Sequence, residues 1–306
     1  MREPISAQVS RDLGRLADLV AQAAPGSRAG PPPGGATAEW LYTNWYAVQA
    51  EAPEAPLPDT RFPDLRGPLD LVCAAGRQWQ DGWVVLEAHP SGYCLGGLGA
   101  TRRWLSPGQY ASPARPGLPP APGDMLRVSM LVSDLDPATG YWVTQSAAGP
   151  PAAPLGRFYL NTGWSEVGPV LSDLTGWLDA MGERYSLKYP ASPAATHRVD
   201  TLVVYLERNR WDALEPGAVA LARRQAAHLR PATPPLARRL ALGAACADDP
   251  GGGASFGQSR CRALAPAVDA LATGRPVKRA SAVAALAAAL KSAGIDPARP
   301  WEGPSQ

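Results

Sequence analysis

From Ile5 onward the apolar residues Ile5, Val9, Leu13, Leu16 and Val20 recur at helical spacing, which predicts an amphipathic helix over residues 5 to 23. The run GSRAGPPPGG ends it. In EWLYTNWYAVQ, Leu41 and Trp45 lie four apart, as do Tyr42 and Tyr46, so a second, aromatic helix is expected with Trp40 and Trp45 turned to a core. Tyr42 and Tyr46 would each need a polar partner if buried. Near residue 78 the period becomes strand-like. GWVVLEA and GYCLGGL flank His-Pro-Ser, and MLRVSMLVS sets Leu126, Val128, Met130 and Val132 against Arg127, Ser129 and Leu131. The turn signal DLDPATG leads into YWVTQS and predicts a hairpin. SPGQYASPARPGLPPAPG is an exposed proline-rich connection, preceded by Arg102 and Arg103 as a solvated pair.

GRFYLNT, RYSLKYP and RVDTLVVYLE are further strands. Between the first two, Val167, Val170, Leu171, Leu174, Leu178 and Met181 mark a helix with a buried stripe. Helices are expected over 213–229, 234–246, 259–273 and 281–293. The fold class is α+β, a central, mostly antiparallel sheet with helices at both ends. Residues 1–35 form an N-terminal helix and linker, and residues 36–306 one domain or two intimate subdomains.

Composition narrows the function classes. Hydrophobic content of 45% excludes wholesale disorder, while 31 Gly and 34 Pro imply long irregular connections. A net charge of +2, from 29 basic and 27 acidic residues, gives no overall field toward nucleic acid or membrane, so neither partner is expected. Arg11, Asp12, Arg15 and Asp18 break up any signal-peptide core, and no apolar run would cross a bilayer, so the expected location is cytoplasmic. Cys73, Cys94, Cys246 and Cys261 are widely spaced, and the histidines are His89, His197 and His228. Neither a zinc site nor any other metal is expected.

The polar residues on three strands carry the chemistry. GRFYLNT presents Arg157, Tyr159 and Asn161 at alternate positions, hence on one face. Lys188 ends YSLK, and Arg198 and Asp200 alternate in HRVDTLVVY. Each strand alone reads as well as a solvated face. Together with Arg260 they make a set suited to phosphate: arginine forks match phosphate oxygens, and lysine can serve as a base. No Walker loop, kinase signature or GxGxxG accompanies them, so transfer from a nucleotide is not supported.

The succession LYTNWY, RFYLNT, an amphipathic helix, SLKYP, RVDTLVVYL and LGAACADDPGGGASFGQSRC resembles the HopA family of type III secretion effectors and its actinobacterial relatives. The resemblance is strongest over about residues 157 to 271. It departs from the family pattern at Arg184, Tyr185 and Ser186, while Lys188 aligns. The resemblance implies a lyase, encoded with class V lanthipeptide or thioamitide biosynthesis, that eliminates phosphate from phosphoserine or phosphothreonine in a precursor peptide to leave a dehydroamino acid. Its implied partners are the phosphorylated precursor peptide, a kinase-like protein and a cyclase, with no cofactor.

On that reading Lys188 is the base and Arg157, Arg198 and Arg260 grip phosphate. Tyr159 and His197 are candidates to protonate the leaving oxygen, and Asp200 orients a cation. Asn161 and Tyr42 join the substrate-binding set. The glycines of ADDPGGGASFGQSRC deliver Ser255, Gln258 and Arg260 to the start of a helix, where amides favour anions. Asp248 and Asp249 fix the loop, by capping or by pairing with arginine, and Phe256 anchors it. The competing reading is a non-catalytic scaffold that holds the peptide or joins kinase and cyclase. A third, a secreted effector, is disfavoured by the composition.

Overall fold

The computed structural model describes residues 5–22, 36–48 and 69, and residues 77–303 except positions 106, 108, 132, 137–138, 147 and 274–276. Cys73 and the GSRAGPPPGG linker lie outside the described residues. Two antiparallel sheets organise the chain, where the sequence suggested one. The smaller has five strands in the order β3-β2-β1-β5-β4: β1 (Arg77–Ala88), β2 (Cys94–Leu98), β3 (Thr101–Leu105), β4 (Tyr110–Ala111) and β5 (Met125–Leu131). Trp83, Val85, Cys94, Leu105, Leu126 and Val128 form its own core.

The larger sheet runs β11-β12-β8-β10-β9-β7-β6. Its strands are β6 (Asp134–Asp136), β7 (Tyr141–Gln145), β8 (Leu155–Leu160), β9 (Tyr185–Pro190), β10 (Leu202–Glu207), β11 (Arg238–Ala241) and β12 (Ala244–Asp248). The hairpin expected around DLDPATG is β6–β7, whereas β5 pairs into the other sheet. Helices α3 (Val167–Ala180) and α4 (Trp211–Arg224) cover one face. There Phe158, Leu160, Leu187, Tyr189, Leu202 and Val204 meet the predicted stripe of Val170, Leu171, Leu174 and Leu178.

The other face packs against α1 (Ala7–Gln22), α2 (Thr37–Leu41), α5 (Phe256–Thr273) and α6 (Arg279–Ser292). Val9, Leu13, Leu16 and Val20 of α1 are buried in this shared core, so the N-terminal helix is integral to it. Among the described residues no helix is long and apolar enough to cross a membrane.

The helix expected over 234–246 is instead the β11–β12 hairpin. Its Leu- and Ala-rich sequence favours a helix locally, but β12 pairs along β8 from Ala244↔Leu160 to Asp248↔Gly156, and sheet pairing overrides propensity. Gly243, at φ 66°, makes the turn; a side chain there would meet the Arg230 carbonyl oxygen. The aromatic helix also departs from expectation. After α2 it widens into a π turn over Tyr42–Tyr46, with Ala47 N donating to Tyr42 O at 2.9 Å. Single π turns recur at functional sites.

Candidate functional site

The site lies on the second face of the larger sheet, beside the core that its helices form. Cross-strand partners share a face. Tyr159 of β8 and Lys188 of β9 both pair with Val203 of β10, and Arg157 and Ser186 both pair with Tyr205. Lys188, Val203 and Tyr159 therefore form one row, with Ser186, Tyr205 and Arg157 in the next. On the other side β7 places Val143 beside Lys188 and Tyr141 two residues along the same face.

Lys188 sits half-buried with Nζ 4.7 Å from the Tyr141 ring centroid and 6.0 Å from that of Tyr205. Among the described residues it makes no hydrogen bond or ion pair. It is one of three lysines in a chain of 29 Lys and Arg residues, so arginine is this chain's ordinary cation and lysine its exception. Arginine stays protonated, whereas an amine can take up a proton.

Arg198 grips Asp200 through Nε (2.8 Å) and Nη2 (3.0 Å), and Nη2 also donates to Tyr42 Oη at 2.7 Å. Burial opposes the Arg198 charge, but the Asp200 carboxylate more than offsets it and holds the guanidinium above its ordinary pKa. Burial likewise raises Tyr42 and pushes Tyr141 up to about 12, so both hydroxyls are proton donors at neutral pH. Arg157 lies deeper. Its Nε donates to Asp249 Oδ2 at 2.6 Å, Nη2 to the Ala254 carbonyl at 3.3 Å, and its Cζ stands 5.1 Å from the Tyr205 ring centroid. Its side chain is 8% exposed against 25% for Arg198, so Arg198 is the more accessible guanidinium.

The ADDPGGG segment is a buttress. Asp249 Oδ1 accepts from Gly251 N at 2.7 Å, Asp248 Oδ2 accepts from Gly303 N at 2.9 Å, and Asp248 pairs with Arg208. Gly251, Gly252 and Gly253 all take positive φ (72°, 62° and 76°). Their shared left-handed backbone explains three glycines in a row.

Several expected site residues are engaged elsewhere. Arg260 is 1% exposed and donates to the backbone carbonyls of Pro300 (2.7 Å) and Glu302 (2.8 Å); desolvation lowers its pKa to about 10. It ties down the C-terminal segment and offers phosphate no fork. Ser255 and Gln258 bond reciprocally, Ser255 N to Gln258 Oε1 at 2.9 Å and Gln258 N to Ser255 Oγ at 3.1 Å. This is a capping box for α5, which satisfies the Ser255 and Gln258 amides, while the Ser255 side chain also lies within hydrogen-bond reach of Tyr42.

Asn161 is fully buried and donates to the Ala232 carbonyl, bracing the segment beyond the strand end. Tyr159 shares the face with Arg157 as expected, but its hydroxyl is buried beside that guanidinium, and desolvation holds it well above its ordinary pKa. A group sealed in this way is no donor to a bound substrate. His197 is half-buried at the end of the 3-10 turn Pro193–Thr196 and makes no hydrogen bond or ion pair among the described residues. Arg198 and Asp200 do sit together, on the bend before β10 rather than on a strand.

Tyr141 joins the two groups: its ring lies over Lys188 Nζ, and its hydroxyl interacts electrostatically with Arg198, Asp200 and Tyr42. The sequence reading missed Tyr141 and Tyr205 as site members, whereas Asp249 does pair with an arginine as expected. Tyr141 alternates with Val143 and Gln145, and Tyr205 with Val203; in-phase tyrosines on strands flanking a rare lysine were the available signal. Among the described residues no group of three or more His, Cys, Asp or Glu would hold a metal ion.

A model of the HopA1 effector protein family matches residues 133–301. Two solved structures are similar. An effector protein from Pseudomonas syringae pv. tomato is 17% identical, covers 54% of this chain and 64% of its own, and has a TM-score of 0.40. An effector protein from Pseudomonas syringae pv. syringae is 15% identical, covers 53% and 62%, and scores 0.37. The match thus spans under two thirds of either effector. No curated protein matches the chain. Over more than half of its residues, including Lys188, Arg198 and the ADDPGGG loop, the chain carries the pattern of one family: it belongs to the HopA1 effector protein family.

Proposed function

We propose that the protein is a phosphoserine or phosphothreonine lyase acting in the cytoplasm on a phosphorylated precursor peptide in class V lanthipeptide or thioamitide maturation. A kinase-like protein installs the phosphate and a cyclase uses the product. The observation that carries this reading is Lys188: an amine without ion pair or hydrogen bond among the described residues, held between Tyr141 and Tyr205, with the Arg198–Asp200 pair acting on the same Tyr141.

In the proposed reaction Lys188 Nζ, held over the rings as the ammonium, first gives up a proton to solvent and then takes the Cα proton of the phosphorylated residue. The C–H electron pair becomes the Cα=Cβ bond, the Cβ–Oγ bond breaks, and phosphate leaves with that bond's electrons. Arg198, aligned by Asp200, compensates the phosphate charge as it departs, while Arg157, its charge offset by Asp249, ties the face to the glycine loop. Tyr42 and Tyr141 take the place of Tyr159 as the cluster's hydroxyl donors. Proton transfer and leaving-group stabilisation account for the whole step.

The test is to incubate the purified protein with a phosphothreonine or phosphoserine form of its precursor peptide and follow peptide mass and released phosphate. Loss of one phosphoric acid per site, with a product that adds an external thiol, supports the lyase. A peptide that binds but keeps its mass, even with kinase and cyclase present, selects the scaffold reading.

A further inference from the structure

Four side chains form a chain of contacts from the glycine loop to the amine. Asp249 at the head of the loop holds the Arg157 Nε at 2.6 Å; the Arg157 guanidinium carbon lies 5.1 Å from the Tyr205 ring centroid; and Lys188 Nζ lies 6.0 Å from the same centroid. We propose that Tyr205 is the positioning residue for Lys188, with its ring steadied by the Arg157–Asp249 pair, so that the ADDPGGG loop sets the place of the amine through the sheet. The inference rests on the lyase reading for its catalytic consequence but not for its geometry.

The arrangement explains itself electrostatically. A tyrosine ring within about 6 Å attracts a cation to its face, but two cations near one ring repel each other. Asp249 offsets the charge of Arg157, so Arg157 can lie close to Tyr205 while Lys188 stays in reach of the same ring. Strand pairing fixes the rest: Tyr205 is directly opposite Arg157 on β8, and Lys188 lies diagonally on β9, two residues on from the Tyr205 partner Ser186. Among the described residues no hydrogen bond holds Lys188, so the rings of Tyr205 and Tyr141 are what define where the amine stands. Tyr205 is half-buried on the site face, and nothing in the family resemblance pointed to it.

The test pairs two readouts on the wild type, Tyr205→Phe, Tyr205→Leu and Tyr205→Met. Because the chain holds three lysines, labelling with [¹³Cε]lysine gives a spectrum that Lys188→Arg assigns. The Lys188 ε-methylene protons should be shifted upfield of those of Lys278 and Lys291 by ring currents, equally so in Tyr205→Phe, and should move toward the other two in Tyr205→Leu and Tyr205→Met.

In the elimination assay the aliphatic variants should lose on the order of tenfold or more in kcat with KM within about threefold, because a small misplacement of a reacting group costs up to about a hundredfold; Tyr205→Phe should stay near wild type. A Lys188 signal unchanged in both aliphatic variants overturns the inference whatever the activity. Loss of kcat in Tyr205→Phe equal to that in Tyr205→Leu also overturns it, by assigning the effect to the hydroxyl. A wild type that shows the upfield signal but eliminates no phosphate refutes the lyase reading and leaves the positioning role standing on the spectrum.

Discussion

The Tyr46 ring packs against Gly257: a β-carbon added at Gly257 would meet Tyr46 ring carbons closer than any real contact allows. This close approach explains the glycine in SFGQ, and it seats the Tyr46 ring that stacks on Tyr42 (centroids 5.5 Å apart, 13° between planes), whose hydroxyl accepts from Arg198. The ring is rigid and both helices are packed, so neither partner can yield cheaply.

Gly257→Ala should therefore destabilise the protein by about 1–3 kcal/mol, the usual cost of overpacking, despite alanine's better helix propensity. Denaturant midpoints measure it. It should also weaken phosphopeptide binding, because displaced Tyr46 moves Tyr42 and with it Arg198.

Ser255→Ala should cost about 1 kcal/mol by removing the side-chain half of the capping box on α5, and should leave binding of inorganic phosphate unchanged. Calorimetric titration of phosphate separates this from the anion-binding role first expected of Ser255. Tighter phosphate binding by wild type than by the variant would restore that role.

Arg260→Met should lower stability by roughly 1–3 kcal/mol, since the Pro300 and Glu302 carbonyls lose their buried donor. If the chain still folds, its phosphopeptide affinity should match wild type, whereas Arg198→Met should lose most of it. Equal loss in both would place Arg260 back at the phosphate.

Asp12 supplies a pH signature. Burial raises its pKa above 3.8, and the hydrogen bond from Leu236 N, at 3.0 Å, offsets only part of that. A carboxyl with a raised folded-state pKa binds more protons folded than unfolded. Its contribution to stability is thus fully present below the unfolded value and is lost as pH rises through the folded value. Asp12→Asn keeps an acceptor for Leu236 and removes the titration. The stability of wild type relative to Asp12→Asn should therefore fall as pH is raised from about 4 toward 7, read from urea midpoints.

Period and alternation made much of the fold legible. The stripe Val170, Leu171, Leu174 and Leu178 does face the core, α1 follows its predicted spacing, and Arg157 and Tyr159 share a face because β8 alternates strictly. What failed was tertiary. LARRLALGAACA is a hairpin because β8 offers an edge that helix propensity cannot sense, and two sheets form because β5 leaves the neighbourhood of β6. At the site, lysine and arginine were visible as residue types, but their partners were not. Arg260, Asn161, Ser255 and Gln258 have the chemistry of anion ligands, and only the fold shows that carbonyls and amides already engage them. Tyr141 and Tyr205 were hidden by the opposite error, since a strand tyrosine ordinarily reads as packing.

The central claim is that Lys188 acts as a base and not merely as a positive charge. Its most direct test is the elimination rate of Lys188→Arg beside Lys188→Ala, on a phosphothreonine peptide, with peptide affinity measured for each. Arginine keeps the charge but stays protonated, so the account predicts that both variants lose elimination while Lys188→Arg still binds the phosphopeptide. Substantial turnover by Lys188→Arg would contradict it, and would leave the amine a counterion to the phosphate.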